Sequence, residues 1–148
     1  MRYHLAARYA RRVELSGYRD RLLSIGDTVT SRWLEFRHMP RWSYGIARED
    51  CEDLMAADAV IIFTEVPNTV LATGGRHVEF GLALAQGKRV IIVGPRENVF
   101  HYLLPDSQVF ATWHKAFATI RRQHTLSKES LRRQPMQLRS ETAPVNPL

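Results

Sequence analysis

Ala59-Val-Ile-Ile-Phe-Thr-Glu65 and Arg89-Val-Ile-Ile-Val-Gly94 are two short runs, apolar almost throughout and rich in β-branched residues. They are too short for helices and lack the alternation of a half-exposed strand, so both read as strands covered on two faces. Between them Gly74-Gly75 leads into a helix over Arg76–Gln86, which Gly87 closes. Outward from this core the pattern repeats. Ala47–Ala57 reads as a helix with an acidic start, and Arg12–Ser24 as one with Leu15, Tyr18, Leu22 and Ile25 on a single face, stopped by Gly26. Tyr3–Ala7 is a short apolar run and Thr28–Trp33 is β-rich. A turn of helix near Val99–Leu103, a brief strand at Val109–Ala111 and a last helix over Trp113–Gln123 complete the series.

Continuous apolar strands separated by amphipathic helices predict an α/β protein: a flavodoxin-like, Rossmann-like doubly wound sheet of five parallel strands with helices on both faces. Ligands of such sheets bind beyond the carboxyl ends of the strands, near the switch point of the topology. The site is therefore expected among Ala7–Arg12, Trp33–Gly45, Glu65–Glu79 and Gly94–His101.

The 148 residues, 45% apolar and 24% charged, suit one globular domain. The longest apolar run, Ala56 to Thr64, is interrupted by Asp58 and is far short of a membrane span, and MRYHLAARYARR has no secretory core. Cys51 is the only cysteine, so no internal disulfide or CxxC metal site is possible, and a cytoplasmic setting is expected. Cys51 itself reads as a small core residue. Most of the net charge of +6 sits in residues 121–148, where Arg121, Arg122, Lys128, Arg132, Arg133 and Arg139 face only Glu129 and Glu141. The expected division is a folded domain over residues 1–124 and a basic, disordered tail over residues 125–148. A solubilising role for that tail makes nucleic acid an unlooked-for partner.

The segment Thr73-Gly-Gly-Arg-His-Val-Glu-Phe-Gly81 is the most informative for chemistry. Two glycines allow close approach of a ligand, and a helix start offers free N–H groups and a positive dipole end, which favour an anion such as phosphate. The pattern is neither GxGxxG nor a P-loop. Glu79 places a carboxylate close to that cradle, and Asp50, at the start of the preceding helix, is a second. Two carboxylates flanking one sugar are what glycosidic cleavage needs: one for C1′ of an oxocarbenium-like transition state, one for the leaving group's proton.

Tyr3-His-Leu-Ala-Ala-Arg8, Ala47-Arg-Glu-Asp50, Ala57-Asp58 and GGRHVEFGLALAQGKRVIIVG together resemble the nucleoside 2-deoxyribosyltransferase family, which includes the nucleoside 5′-monophosphate N-glycosidases. The resemblance spans roughly residues 1–120, and its core is the spacing Gly75, Glu79, Gly81, Ala83. It implies that Glu79 attacks C1′, that Asp50 protonates the departing base, and that Tyr3 orients the glutamate. It also implies that Arg8 contacts phosphate and that Asn98 reaches a neighbouring subunit's site in a homodimer or higher homo-oligomer. Where transferases of the family carry an aspartate gripping the sugar hydroxyl, this chain has Thr73. A neutral hydroxyl suits a 5′-phosphate, since like charges about 4 Å apart cost roughly 1 kcal/mol even in water. With Arg8, Gly74, Gly75 and Arg76 nearby, the expectation is hydrolysis of a nucleoside 5′-monophosphate without a cofactor or metal. The alternatives are base exchange between free deoxynucleosides and a non-catalytic nucleotide-sensing module. His77 is expected to point away from Glu79, and His101 to lie at the surface or against phosphate or a partner.

Overall fold

In the computed structural model the described residues are 1–36, 43–67 and 74–133. Five parallel strands form one sheet in the order β2-β1-β3-β4-β5: β1 (Arg2–Ala6), β2 (Thr28–Val29), β3 (Ala59–Phe63), β4 (Arg89–Val93) and β5 (Val109–Phe110). The helices are α1 (Arg12–Ser24), α2 (Tyr44–Ala56), α3 (Gly75–Ala85) and α4 (Trp113–Arg133). This is the doubly wound, flavodoxin-like architecture expected.

Period-2 alternation divides the strands between two cores. Tyr3, Leu5, Ala59, Ile61, Phe63, Ile91 and Val93 pack on one face with Leu15 and Leu22 of α1 and Trp113, Phe117 and Ile120 of α4. Ala6, Val60, Ile62, Val90 and Ile92 pack on the other with Leu54 of α2 and Phe80 and Ala83 of α3. Both faces of β3 are sealed, which is why its run carries no polar alternation. Registers Leu5↔Ile61 and Ile61↔Ile91 hold the three central strands level.

Several boundaries differ from the sequence reading. The β-rich stretch Thr28–Trp33 pairs as a strand only at Thr28–Val29, and Arg32–Glu35 is a 3-10 turn. Side chains replace the missing ladder there: Leu5 donates its N–H to Ser31 Oγ at 2.7 Å, and Trp33 Nε1 donates to Leu5 O at 2.9 Å. Helix α2 begins earlier than expected, at Tyr44, because Ser43 serves as its N-cap and accepts the N–H of Ile46. Helix α3 begins at Gly75 and ends at Ala85. Helix α4, expected to stop at Gln123, runs on to Arg133, so the first part of the segment read as a disordered tail is helical. Residues 134–148 lie outside the described residues.

One glycine is dictated by close approach. Gly94 has φ +120°, and a Cβ there would sit 2.9 Å from the carbonyl oxygen of Thr64. The backbones leaving β3 and β4 can therefore lie side by side only with glycine at this position.

Candidate active site

Several of the candidate side chains gather where β1, α2 and α3 meet. His4 in the middle of β1 is completely buried, on the face opposite Tyr3. Its Nε2 lies 2.7 Å from Oε1 of Glu79, in the second turn of α3, whose side chain keeps 17% exposure. An ionised carboxylate can only accept, so this ring nitrogen carries the proton. Nδ1 of the same ring lies 3.2 Å from Ser31 Oγ. Among the described residues, Oε2 of Glu79 has no hydrogen-bond partner.

Asp50 on α2 belongs to the same constellation. Its pKa is pushed up to about 6, first by burial and next by the negative charge of Glu79. Asp53 and Glu49 add to the rise, and His4 opposes it. A carboxyl whose surroundings favour its protonated form, set beside a second carboxylate, is the pattern of an acid paired with a nucleophile. Near neutral pH this carboxyl still holds a proton part of the time, while Glu79 presents one bonded and one open oxygen.

Tyr3 does not join them. It is 2% exposed within the core facing α1 and α4, where burial pushes its pKa up to about 12. The expectation that it orients Glu79 is corrected by one residue: His4 does so. Strand alternation could have shown this, because Tyr3 and His4 must point to opposite faces and only one of those faces meets α3.

Gly74 stands before α3 in the left-handed conformation, φ +84°, and its carbonyl receives the N–H groups of His77 and Val78. That leaves the first N–H groups of the helix, at Gly75 and Arg76, pointing out of its start. Arg8, in the loop after β1, donates Nε to Glu65 Oε1 at 3.0 Å. Arg11 approaches the same oxygen at 3.6 Å, and pairs more closely with Glu14. An incoming anion would thus have to compete with Glu65 for Arg8. Thr73 lies outside the described residues.

Arg76, expected to touch phosphate, is turned inward. Its side chain is 5% exposed and gives Nε to Glu97 Oε1 at 2.7 Å. The other oxygen of Glu97 accepts the N–H of Glu65, and His77 Nε2 lies 3.0 Å from Oε1. Burial alone would raise the pKa of Glu97, but these donors hold it below its ordinary value. Asn98 is engaged within its own chain: Nδ2 lies 2.9 Å from His77 Nδ1 and 3.3 Å from His101 Nε2, and Oδ1 accepts the N–H of Phe100. His101, read as a surface or contact residue, is wholly buried against Phe80. Cys51 is exposed rather than in the core. Glu97 is the hub that sequence reasoning missed, since a lone Glu after Gly94-Pro-Arg carries no local signal.

Among the described residues no group of three or more His, Cys, Asp or Glu is placed to hold a metal ion, and no helix is long and apolar enough to cross a membrane.

No family model matches the chain, and no curated protein matches it. Its structure is similar to that of a 2-desoxiribosyltransferase from Leishmania mexicana, with a TM-score of 0.61 and 16% identity over 83% of this chain and 98% of that one. It is also similar to the Clostridium botulinum CMP N-glycosidase BcmB, with a TM-score of 0.54 and 19% identity over 81% of this chain and 98% of that one. The chain thus has the fold of one protein from each of the two branches, transferase and N-glycosidase, that its sequence resembles.

Proposed function

We propose that the protein hydrolyses the N-glycosidic bond of a nucleoside 5′-monophosphate. The observation that carries the reading is the pairing of Glu79, fixed by His4, with Asp50, whose carboxyl keeps its proton up to a pH of about 6. The open oxygen of Glu79 attacks C1′ as the bond to the base breaks. The proton of Asp50 passes to the departing base, leaving Asp50 ionised. Water then attacks C1′ of the glycosyl ester and loses a proton to Asp50, Glu79 leaves as carboxylate, and the site is restored. The free N–H groups at the start of α3, with Arg8 once Glu65 releases it, favour phosphate at the sugar's 5′ position.

A second free base in place of water would make the same ester a transfer intermediate, and the fold shared with a desoxiribosyltransferase supports that second reading. A homodimer or higher homo-oligomer is implied by the resemblance. The exposed apolar side chains of Val99, Phe100, Tyr102 and Leu103 support a second copy covering that turn.

The test is a chromatographic assay for released base. Nucleoside 5′-monophosphates and the matching nucleosides are incubated with the protein, with and without a second base, beside Glu79→Ala. Base released from monophosphates alone, and lost in the variant, is the expected result. Exchange confined to free nucleosides establishes the transferase instead. Binding without any base release would make the protein a nucleotide sensor.

A further inference from the structure

We propose that Ser31 is a positioning residue for Glu79, acting through the imidazole of His4. The inference rests on the reading of Glu79 as nucleophile and adds a residue to it. Ser31 stands just past β2 and is 5% exposed, so its hydroxyl finds its partners inside the protein. Leu5 N–H points at Oγ from 2.7 Å and fixes the oxygen in place. The single hydroxyl proton then has two acceptors at the same 3.2 Å, Leu5 O and His4 Nδ1.

The rest of the site decides between them. Leu5 O already receives Trp33 Nε1 at 2.9 Å, whereas His4 Nδ1 has no other partner among the described residues. The carboxylate of Glu79 requires a proton on Nε2, and in a singly protonated ring Nδ1 is then a bare acceptor. Donation from Ser31 to Nδ1 satisfies every polar atom of the chain Leu5 N, Ser31 Oγ, His4, Glu79 Oε1. It also selects the tautomer, because a proton on Nδ1 would turn a lone pair of Nε2 onto the carboxylate. The other charged or titratable groups that α2 brings to this neighbourhood are Glu49, Asp50 and Asp53, and Asp53 is held by the N–H and Nε of Arg32. Ser31 is thus the one hydroxyl described against the far side of the ring. With the ring locked, one oxygen of Glu79 is pinned and the other stays aimed at the sugar, the logic by which a buried third group orients a catalytic base.

The test combines a double-mutant cycle with nitrogen-15 spectroscopy. In Ser31→Ala, kcat for base release is expected to fall about tenfold with KM nearly unchanged, the size of one net hydrogen bond. Ser31→Thr, which keeps the hydroxyl, should recover most of that loss. In a His4→Gln background, Ser31→Ala should cost little more, because the partner it acts through is gone. The same tenfold factor in both backgrounds would overturn the proposal and reduce Ser31 to an anchor for Leu5. The imidazole of His4 is read directly in the unmutated protein, where Nε2–H with an accepting Nδ1 is expected. An Nδ1–H tautomer there overturns the proposal without reference to turnover or to the folding of any variant. If the unmutated protein releases no base at all, the functional reading fails, while the tautomer still reports on Ser31.

Discussion

Arg76 and Glu97 form an ion pair in which each side chain is 5% exposed, 2.7 Å apart, directly beneath the start of α3. Both charges are out of water, so what matters is the charge left behind when one is removed. Glu97→Ala is expected to cost about 3–5 kcal/mol in urea unfolding, and Arg76→Met with Glu97→Met together clearly less. A double variant as unstable as Glu97→Ala would show that the pair does not act as a unit.

The same carboxylate gives the protein an acid limit. The folded pKa of Glu97 lies below its ordinary value because Arg76 and the N–H of Glu65 outweigh the effect of burial. A depressed carboxylate contributes stability that is present above the unfolded value and is lost as pH falls through the folded one. Unfolding midpoints measured below the usual glutamate range should therefore fall with pH, and more shallowly in the Arg76→Met, Glu97→Met protein.

Asp50 has the opposite sign. With its folded pKa raised to about 6, its ionised form is disfavoured in the fold, so its contribution to stability drops as pH rises from the ordinary aspartate value through about 6. Asp50→Asn should accordingly stabilise the protein at pH 8 while slowing base release by about 10²–10⁴. In the unmutated protein base release should decline as pH rises above about 6, and this decline should vanish in the variant.

Glu79 is the second cause of that shift. Replacing it in Glu79→Gln removes a neighbouring negative charge, and carbon-13 titration of the Asp50 carboxyl should then give a value below about 6. Burial remains, so the value should stay above that of a solvated aspartate. No movement would mean the two carboxylates do not sense each other, and the acid–nucleophile pairing would have to be abandoned.

Glu65 holds Arg8 at 3.0 Å, and the proposed 5′-phosphate would have to compete with it. Glu65→Gln weakens that hold without emptying it. The KM for a 5′-monophosphate should fall by about threefold to tenfold, with that for the free nucleoside unchanged. Equal changes for both would place Arg8 away from the phosphate.

The strands and helices were legible because β3 and β4 are sealed on both faces and α1 is punctuated by Gly26. What escaped the sequence were contacts made by single polar side chains across long separations. Ser31 and Trp33 reach back to Leu5 and end β2 early, and β propensity over Thr28–Trp33 cannot register that. Of the candidate site, Glu79 and Asp50 come together, while Tyr3 gives way to its neighbour on the other face and Arg76 is claimed by Glu97. Charge and proximity in sequence pointed Arg76 at phosphate, and only the position of a distant carboxylate decides where a guanidinium turns.

The ties from Ser31 and Trp33 to Leu5 also bear on how the protein behaves in a crowd. A sheet margin with free N–H and C=O groups is a template on which another chain can add a strand. Here both outer strands are only two residues long, and past β2 the backbone groups of Leu5 are already taken by side chains. That margin is closed to a foreign strand, a safeguard against aggregation built from the same serine that steadies the histidine.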